Sequence, residues 1–172
     1  ETVPGTLKGI HVHIDAGHGG HDRGTTGIRG TREKDITLLT AESLATKLRE
    51  AGAQVTMTRN SDKYVSLRQR VALRKEMNAE AFISLHYDAN TDSTIKGFTT
   101  YYYKDDQKAF TEALNTGLAQ HVPIRNRGTQ VGDFLVLREN DRDASLIELG
   151  FLTNATEEQI VTTRKFRDQA TY

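Results

Sequence analysis

Ile14-Asp15-Ala16-Gly17-His18-Gly19-Gly20-His21-Asp22-Arg23-Gly24 is the stretch around which this chain is organised. Residues 9–15, which lead into it, alternate apolar with other side chains and predict a β-strand. The glycine-rich segment ends this strand, since glycine tolerates backbone angles and close approaches that other residues forbid. His18 is therefore expected on a sharp loop with its ring free to meet a ligand, which makes this loop a candidate edge of a site.

Composition indicates a soluble globular domain. The chain has 172 residues, of which 36% are hydrophobic and 27% charged, so it is long enough to bury a substantial core. We expect a single domain over residues 1–172, and we expect it to be monomeric. The 23 basic and 23 acidic residues cancel, which provides no general attraction to nucleic acid or to an anionic membrane. No segment approaches the roughly 18 apolar residues of a membrane span.

The sequence contains no cysteine and no recognisable signal peptide. The lack of thiols excludes disulfides, cysteine-containing zinc sites and cysteine nucleophiles. It also suits a secreted bacterial protein, whose export would require that a signal peptide had been removed before Glu1. We interpret the polar residues 1–8 as the remnant of a linker.

Predicted strands and helices alternate along the remaining chain. Apolar runs predict further strands at 53–58, 81–85, 97–103, 130–137 and 144–149. Helical spacing predicts helices that end at Gly52, span 66–78, follow Asp105, and run from Asn154 toward Asp168. This alternation is typical of a three-layer α/β domain with helices on both sides of a mostly parallel sheet. The strand at 97–103 follows its predecessor without a helix, so we expect the sheet to be mixed.

The helix at 66–78 raises a question about two arginines. It starts with a capping box, and its apolar stripe comprises Leu67, Val71, Leu73 and Met77. Arg70 and Arg74 fall in the same stripe. Either these arginines pair with carboxylates at the edge of the core, or one of them orients a carboxylate of a site.

Residues with catalytic chemistry lie where predicted strands end. His18 follows the first strand, His86 ends a later strand, and Glu148 lies near the end of the last strand. Because ligands of open α/β sheets bind at the carboxyl ends of the strands, we expect these side chains to meet. Glu33 joins them from the start of the first helix, where the helix dipole favours a carboxylate.

Each of these residues also has an ordinary interpretation on its own. A histidine after a strand is more often a hydrogen-bonded loop residue than a metal ligand. Glu148 is harder to explain in this way, because apolar residues flank it and an unpaired buried carboxylate is costly. Together, two histidines and a glutamate form a three-ligand zinc site with an open fourth position, and a further glutamate beside it is able to deprotonate water there.

Several short motifs occur in one order along the chain: HIDAGHGGHDRGTTG, REKDITL, VSLRQR, FISLHYDAN, GFTTYYY, NRGTQ and LIELGFLTN. This series closely resembles the zinc-dependent N-acetylmuramoyl-L-alanine amidases of the bacterial cell wall, the group called amidase type 3. The resemblance extends from about Gly9 to the last helix. The family often has a proline where this chain has Asp143, a departure that affects the local loop rather than the zinc site.

The resemblance implies a zinc ion held by His18, Glu33 and His86, and a catalytic role for Glu148. The metal would activate water and polarise the amide carbonyl. Glu148 would take the water proton and return it to the leaving nitrogen of alanine. All of these positions carry the residue type that the family pattern requires.

The remaining histidines and one arginine receive weaker assignments. Arg127 resembles a motif position and is a candidate contact for a carboxylate of the stem peptide, with an ion pair on the rim as the alternative. His11 and His13 lie within the first strand and are interpreted as structural. His21 lies near the site but outside the implied ligand positions. His121 closes a helix, where the dipole favours an imidazolium.

We therefore expect an extracellular, cell-wall-associated zinc amidase with peptidoglycan as its substrate. It would cut the bond that joins the lactyl group of N-acetylmuramic acid to L-alanine. One alternative is a wall-binding module that has lost catalysis, which the complete set of reactive residues argues against. A second is an unrelated zinc peptidase, whose H-E-x-x-H signature is absent, and a phosphate-binding glycine loop is disfavoured because neither common phosphate-loop pattern occurs.

Overall fold

A six-stranded sheet runs through the centre of the computed structural model, which describes residues 5–172. The strands are β1 (His11–Ala16), β2 (Gln54–Met57), β3 (Ala81–Asp88), β4 (Phe98–Tyr102), β5 (Asn126–Val131) and β6 (Asp143–Phe151). Their order in the sheet is β2-β1-β3-β6-β4-β5. β1, β2, β3 and β6 run parallel to one another, whereas β4 lies antiparallel to β6 and parallel to β5. The predicted mixed, mostly parallel sheet is confirmed.

Helices cover both faces of this sheet. They are α1 (Glu33–Glu50), α2 (Leu67–Met77), α3 (Lys108–His121), α4 (Leu135–Arg138), α5 (Ala155–Val161) and α6 (Arg164–Ala170). Alternate side chains of β3 enter two separate cores. Ile83 belongs to a core shared with α1, α3, α5 and α6, and Phe82 belongs to a second core shared with α2 and α4. None of the helices within residues 5–172 has the length and apolar character needed to cross a bilayer.

The structure corrects two of the predicted elements. The predicted strand at 130–137 is instead β5, which ends at Val131, followed by the short helix α4. Pairing with β4 extends only to Val131, and Leu137 is then buried on a helix rather than on a strand. The predicted single final helix is two helices, because the side chain of Thr163 accepts a hydrogen bond from the amide of Phe166 and caps a new start.

Helix α2 begins with the predicted capping box at Ser66, but its predicted apolar stripe is wrong in part. Leu67 and Met77 are 55% and 45% exposed, whereas Arg70 and Arg74 are buried. The reason lies in the surface beneath the helix, where a carboxylate and several backbone carbonyls need hydrogen-bond donors. The guanidinium groups supply these donors, so the buried face of α2 is partly charged.

The predicted linker remnant at 1–8 falls partly on residues 1–4, which lie outside the described residues. Within the described part, the amide of Leu7 donates to the carbonyl of Ala51 at 2.9 Å, just after the end of α1. The Leu7 side chain packs at the edge of the larger core. The assignment of residues 1–8 to a linker, and of the chain to a single domain, stays a prediction.

Candidate active site

The expected metal ligands converge at the carboxyl edge of the sheet. His18 follows β1, His86 lies near the end of β3, and Glu33 is the first residue of α1. The Oε2 atom of Glu33 lies 3.0 Å from Nε2 of His18 and 3.1 Å from Nδ1 of His86. One nitrogen or oxygen atom from each residue falls within 4.8 Å of the others. The parallel pairing of β1 with β3 explains the convergence, because both strands end at the same edge.

The glycine-rich loop after β1 makes room for these side chains. His18 has a φ of 65°, a left-handed conformation that residues other than glycine rarely adopt. Strained backbone of this kind is concentrated at functional sites, where the surrounding structure holds it in place. A Cβ atom at Gly17 would lie 2.3 Å from the ring of His86, and one at Gly24 would lie 2.6 Å from the ring of His18. Glycine is therefore required at both positions, because each imidazole ring lies directly against the backbone there.

Glu33 is held as a carboxylate between the two rings. Its Oε1 accepts a hydrogen bond from the amide of Thr25 at 3.0 Å, and its Oε2 accepts one from the amide of Tyr87 at 3.1 Å. Burial alone raises the pKa of Glu33, but hydrogen bonds with His18 and His86 outweigh burial and hold this pKa well below its ordinary value. For His18, burial lowers the pKa, and hydrogen bonds to nearby carboxylates raise it above its ordinary value. The cluster therefore favours a positive charge at this point.

The ring nitrogens that face away from the cluster are also hydrogen-bonded. Nδ1 of His18 lies 2.9 Å from Oδ2 of Asp22. Nε2 of His86 lies 2.9 Å from Oγ of Ser84, whose hydroxyl is in turn 2.7 Å from Asp15. The two imidazoles thus present opposite nitrogens to the cluster, Nε2 of His18 and Nδ1 of His86. Outer contacts of this kind orient the rings of metal-binding histidines.

Two buried arginines support the glycine-rich loop from below. Arg70 of α2 donates to the carboxylate of Asp15 at 2.6 Å and to the carbonyls of Ala16 and His18 at 2.8 and 2.9 Å. Arg59 donates to two carbonyls of the same loop, each at 3.1 Å. Arg70 therefore fits both interpretations left open by the sequence, because it pairs with a core carboxylate that also lies directly behind the site.

Arg74 pairs with a carboxylate that does not belong to the site. Its guanidinium pairs with Asp141, in the charged loop that precedes β6. This loop enters the amino end of β6, away from the carboxyl edge that carries the site. The departure from the family pattern at Asp143 thus lies at the opposite end of the sheet from the cluster.

The supporting residues Asp15, Asp22, Ser84 and Arg59 were not identified by the sequence analysis. A signal was present for Ser84, which precedes His86 by two positions in a strand and so points to the same face. The position of Arg59 carried no such signal, because one of the carbonyls it contacts belongs to a residue 42 positions away.

Glu148 lies beside the cluster. It is paired with His86 across the parallel strands β6 and β3, and it lines a cleft of about 430 Å³ together with His18 and Glu33. Its Oε2 atom is buried and has no hydrogen-bond partner among the described residues. Burial, reinforced by the carboxylates of Asp88 and Glu33, raises the pKa of Glu148 well above its ordinary value. A buried carboxyl oxygen without a partner, at the edge of an open cleft, indicates a group that meets a ligand.

The donor set of the cluster fits a zinc ion. Zinc is commonly bound by imidazole nitrogens and carboxylate oxygens, and catalytic sites use three protein ligands and keep one position open. His18, Glu33 and His86 supply such a set, and the cleft gives access to it. Glu148 lines the same cleft, as a residue that acts on a ligand there must.

Arg127 is not among the residues that line the cleft. Its guanidinium carbon lies 5.3 Å from the ring centroid of Phe151, and its Nη1 is 3.4 Å from the carbonyl of Lys96. Contact with substrate therefore stays a prediction for this residue. His121 is the last residue of α3, in the helix-end position expected from the sequence.

The other histidines make local contacts. His21 stacks on Tyr64 with 4.3 Å between the ring centroids, beside the cleft that Tyr64 lines. His11 and His13 both lie within 3 Å of the hydroxyl of Thr56 on β2, at 2.9 and 2.7 Å. The two strand histidines thus tie β1 to β2 and do not reach the cluster.

An α/β sheet with a cluster of metal-type donors and a further carboxylate in one cleft suits hydrolytic chemistry. Comparison with known proteins refines this interpretation. The family model described as N-acetylmuramoyl-L-alanine amidase matches residues 12–172, and this chain therefore belongs to that family.

Individual relatives agree with the family assignment. "Probable cell wall amidase LytH" of Staphylococcus epidermidis is 39% identical over 163 residues, which cover 94% of this chain and 54% of the relative. The catalytic domain of CwlV, an N-acetylmuramoyl-L-alanine amidase from Bacillus (Paenibacillus) polymyxa, has a TM-score of 0.92 and 34% identity, covering 94% of this chain and 92% of that one. An N-acetylmuramoyl-L-alanine amidase from Clostridium difficile 630 has a TM-score of 0.91 and 36% identity, covering 94% and 90%. This chain spans about half the length of the curated relatives it matches.

Proposed function

We propose that this domain hydrolyses the amide bond between the lactyl group of N-acetylmuramic acid and L-alanine in peptidoglycan. Membership of the amidase family supports this reaction. The observation that carries the proposal is the convergence of His18, Glu33 and His86 with the unpaired Oε2 of Glu148 in one cleft. Amide hydrolysis needs charge stabilisation at the carbonyl and a base for water at neighbouring points, and this cleft is suited to both.

The proposed ligands of a zinc ion are Nε2 of His18, Oε2 of Glu33 and Nδ1 of His86. Zinc, when bound in such a site, supplies a Lewis acid that polarises a carbonyl and makes water a better nucleophile. The chain prepares the site by holding the rings in place through Asp22 and Ser84. The backbone amides of residues 25 and 87 hold the carboxylate in the same way.

Glu148 is the proposed general base. Glu148 lines the cleft and no described residue donates to its Oε2, so the carboxylate is free to accept a proton from the attacking water through the oxygen that meets the cleft. The same oxygen would then return the proton to the leaving nitrogen of alanine. Phe134, Val136 and Leu146 add apolar side chains to the lining of the same cleft.

Glu148→Gln tests this proposal with an exposed control, Glu76→Gln on α2. We expect Glu148→Gln to retain zinc and to release stem peptides from purified peptidoglycan about 10²–10⁴-fold more slowly. The control should behave like the wild type. Mass analysis of the wild-type product should show an intact stem peptide with a free L-alanine amine, and cuts within the peptide would instead indicate a peptidase. An unchanged rate in Glu148→Gln would remove this residue from the mechanism.

We also propose that the domain acts outside the cell membrane, at the cell wall. The substrate lies there, and the staphylococcal relatives are described as cell wall amidases. A wall-binding module without catalysis is the competing function. It would bind purified peptidoglycan without releasing any peptide, so the digest described above also separates these two functions.

A further inference from the structure

We propose that Ser84 is a positioning residue that determines which nitrogen of His86 carries the proton, and that Asp15 and Arg70 dictate this choice. These residues form a continuous chain of hydrogen bonds. Arg70 lies 2.6 Å from Asp15, Asp15 lies 2.7 Å from the Ser84 hydroxyl, and Ser84 lies 2.9 Å from Nε2 of His86. The inference rests on the proposed metal site, because it assigns a reason for the use of Nδ1 of His86 in that site.

The direction of each hydrogen bond follows from what each group is able to donate. Asp15 forms a salt bridge with Arg70, and a carboxylate only accepts hydrogen bonds. The hydroxyls of Ser84 and Thr58 both contact this carboxylate, at 2.7 and 2.9 Å, so each gives its proton to Asp15. A serine hydroxyl has a single proton, so Ser84 is left to accept from its other neighbour. That neighbour is Nε2 of His86, which must therefore carry a proton.

The consequence for metal binding lies on the other side of the ring. A neutral imidazole has one proton, so a proton on Nε2 leaves a lone pair on Nδ1. Nδ1 is the nitrogen that faces the cluster, 3.1 Å from Oε2 of Glu33. Glu33 also faces this ring and favours the proton on Nδ1, so Ser84 and Glu33 compete for the proton, and without Ser84 only Glu33 would remain as a partner. A cation would then have to displace that proton, so its affinity would fall.

Burial makes this arrangement hard to replace with water. Ser84 is fully buried and Asp15 is 1% exposed. His18 differs in this respect, since its outer nitrogen contacts the half-exposed carboxylate of Asp22 directly, at 2.9 Å. The proton on Nε2 of His86 therefore depends on one internal hydroxyl, whereas the outer partner of His18 is half-exposed to solvent.

Ser84→Ala and Thr58→Val are a matched pair for testing this inference. Each removes one hydroxyl that donates to Asp15, but only Ser84 also contacts His86. In competition with a chromophoric chelator, we expect Ser84→Ala to bind zinc about 10–100-fold more weakly than the wild type. Thr58→Val should match the wild type, and Ser84→Thr, which keeps the hydroxyl, should recover most of the affinity. Equal losses in Ser84→Ala and Thr58→Val, or no loss in Ser84→Ala, would overturn the inference.

Nitrogen-15 NMR of the six histidines reports the proton position directly. In the metal-free protein with a neutral His86, we expect the fraction of rings that carry the proton on Nε2 to be the same in the wild type and in Thr58→Val. In Ser84→Ala this fraction should fall, and the fraction with the proton on Nδ1 should rise above that of the wild type. A wild-type His86 with its proton on Nδ1 would overturn the inference even if Ser84→Ala did not fold. Neither measurement uses peptidoglycan, so a failure here leaves the amidase proposal standing, and wild-type protein that binds no zinc would refute the metal site instead.

Discussion

His86 and Glu148 lie directly opposite each other on the neighbouring parallel strands β3 and β6. Residues paired in this way point to the same face of a sheet, so a proposed metal ligand and the proposed base share one side of the carboxyl edge. This relationship is enforced by strand register rather than by a loop. A shift of one residue in β6 would turn Glu148 to the opposite face, where Ile147 and Leu149 fill the larger core.

The unpaired carboxyl oxygen of Glu148 should cost the metal-free protein stability. We expect Glu148→Gln to raise the free energy of unfolding of the protein by about 1 kcal/mol, because a neutral amide avoids the cost that burial imposes on an ionisable carboxyl group, the cost that raises the pKa of Glu148. Urea unfolding in the presence of a chelator measures this difference. Glu76→Gln should leave the unfolding energy unchanged, and a less stable Glu148→Gln protein would contradict the argument.

Metal binding should depend on the cluster and not on the neighbouring histidine. His18→Ala, His86→Ala and Glu33→Gln should each lose bound zinc, as measured by elemental analysis after gel filtration. His21→Gln is the matched control, because its ring stacks on Tyr64 outside the donor set. Removal of metal from the wild type with a chelator should abolish hydrolysis, and added zinc should restore it. Full zinc content in His86→Ala would show that the ligand set is wrong.

The buried ion pair of Arg70 with Asp15 should contribute far more to the free energy of unfolding than the pair of Arg74 with Asp141 at the opposite edge of the sheet. Arg70→Met leaves the buried carboxylate of Asp15 without its ion-pair partner and should lower the free energy of unfolding by about 3–5 kcal/mol. Asp141→Asn keeps an amide oxygen as an acceptor for the buried guanidinium of Arg74, at the exposed side of that pair, and should cost less, about 1–2 kcal/mol.

A double variant gives this comparison a sharper form. Replacing both partners, as in Arg70→Met with Asp15→Leu, should be less destabilising than Arg70→Met alone, because no charge is left unpaired. Denaturant unfolding of the metal-free proteins measures all of these differences. Equal effects of Arg70→Met and Asp141→Asn would show that burial of the pair is not what matters.

His13 should make the protein less stable in mild acid. Burial lowers its pKa to about 4 from an ordinary 6.5, against an opposing attraction from Asp15 that raises it. The unfolded chain therefore takes up this proton more readily than the folded one, so stability falls as the pH drops from 6.5 to about 4 and levels off below that. The decrease in the free energy of unfolding that is due to His13 is about 3 kcal/mol over this pH range.

His13→Gln removes this source of pH dependence. As the pH falls, the variant should become more stable relative to the wild type. Unfolding free energies measured with a chelator present report this change. A difference that stays constant between neutral pH and pH 4 would show that His13 is protonated as easily in the folded protein as in the unfolded chain.

Arg127 remains a candidate contact for a stem-peptide carboxylate. If it binds one, Arg127→Gln should raise KM several-fold while kcat changes little, because the lost interaction is the same in the ground state and in the transition state. Arg125→Gln, an exposed neighbour before the same strand, is the control. Identical kinetics for both variants and the wild type would assign Arg127 to its contact with Phe151 alone.

Much of the fold follows from local patterns. The strand into the glycine-rich loop, the capping box at Ser66 and the buried run of β3 were all predicted, because each depends on residues that are neighbours in the chain. The predicted strand at 130–137 is wrong because the apolar run at 134–137 fits a buried helix as well as a buried strand. Only the pairing of β5 with β4 decides where that strand ends.

Some residues of the candidate site were predictable from local sequence, and others were found only in the tertiary structure. His18, Glu33, His86 and Glu148 were identified from motifs and from their positions at element ends, and the structure brings them into one cleft. Arg59, Asp15 and Ser84 were not, since their importance depends on what they contact. The exposed side chains of Leu67 and Met77 show the same limit, because helical spacing does not reveal that the opposing surface is polar.

The sequence by itself determined the order of the elements and the residue types of the reactive set, since periodicity and short motifs are properties of neighbouring residues. Only the tertiary structure decided which nitrogen of each histidine faces the cluster, and which buried groups hold the rings. These choices depend on hydrogen bonds between distant residues, such as Ser84 with Asp15, which are 69 positions apart. Such bonds exist only after the parallel strands have paired and excluded water from the groups between them.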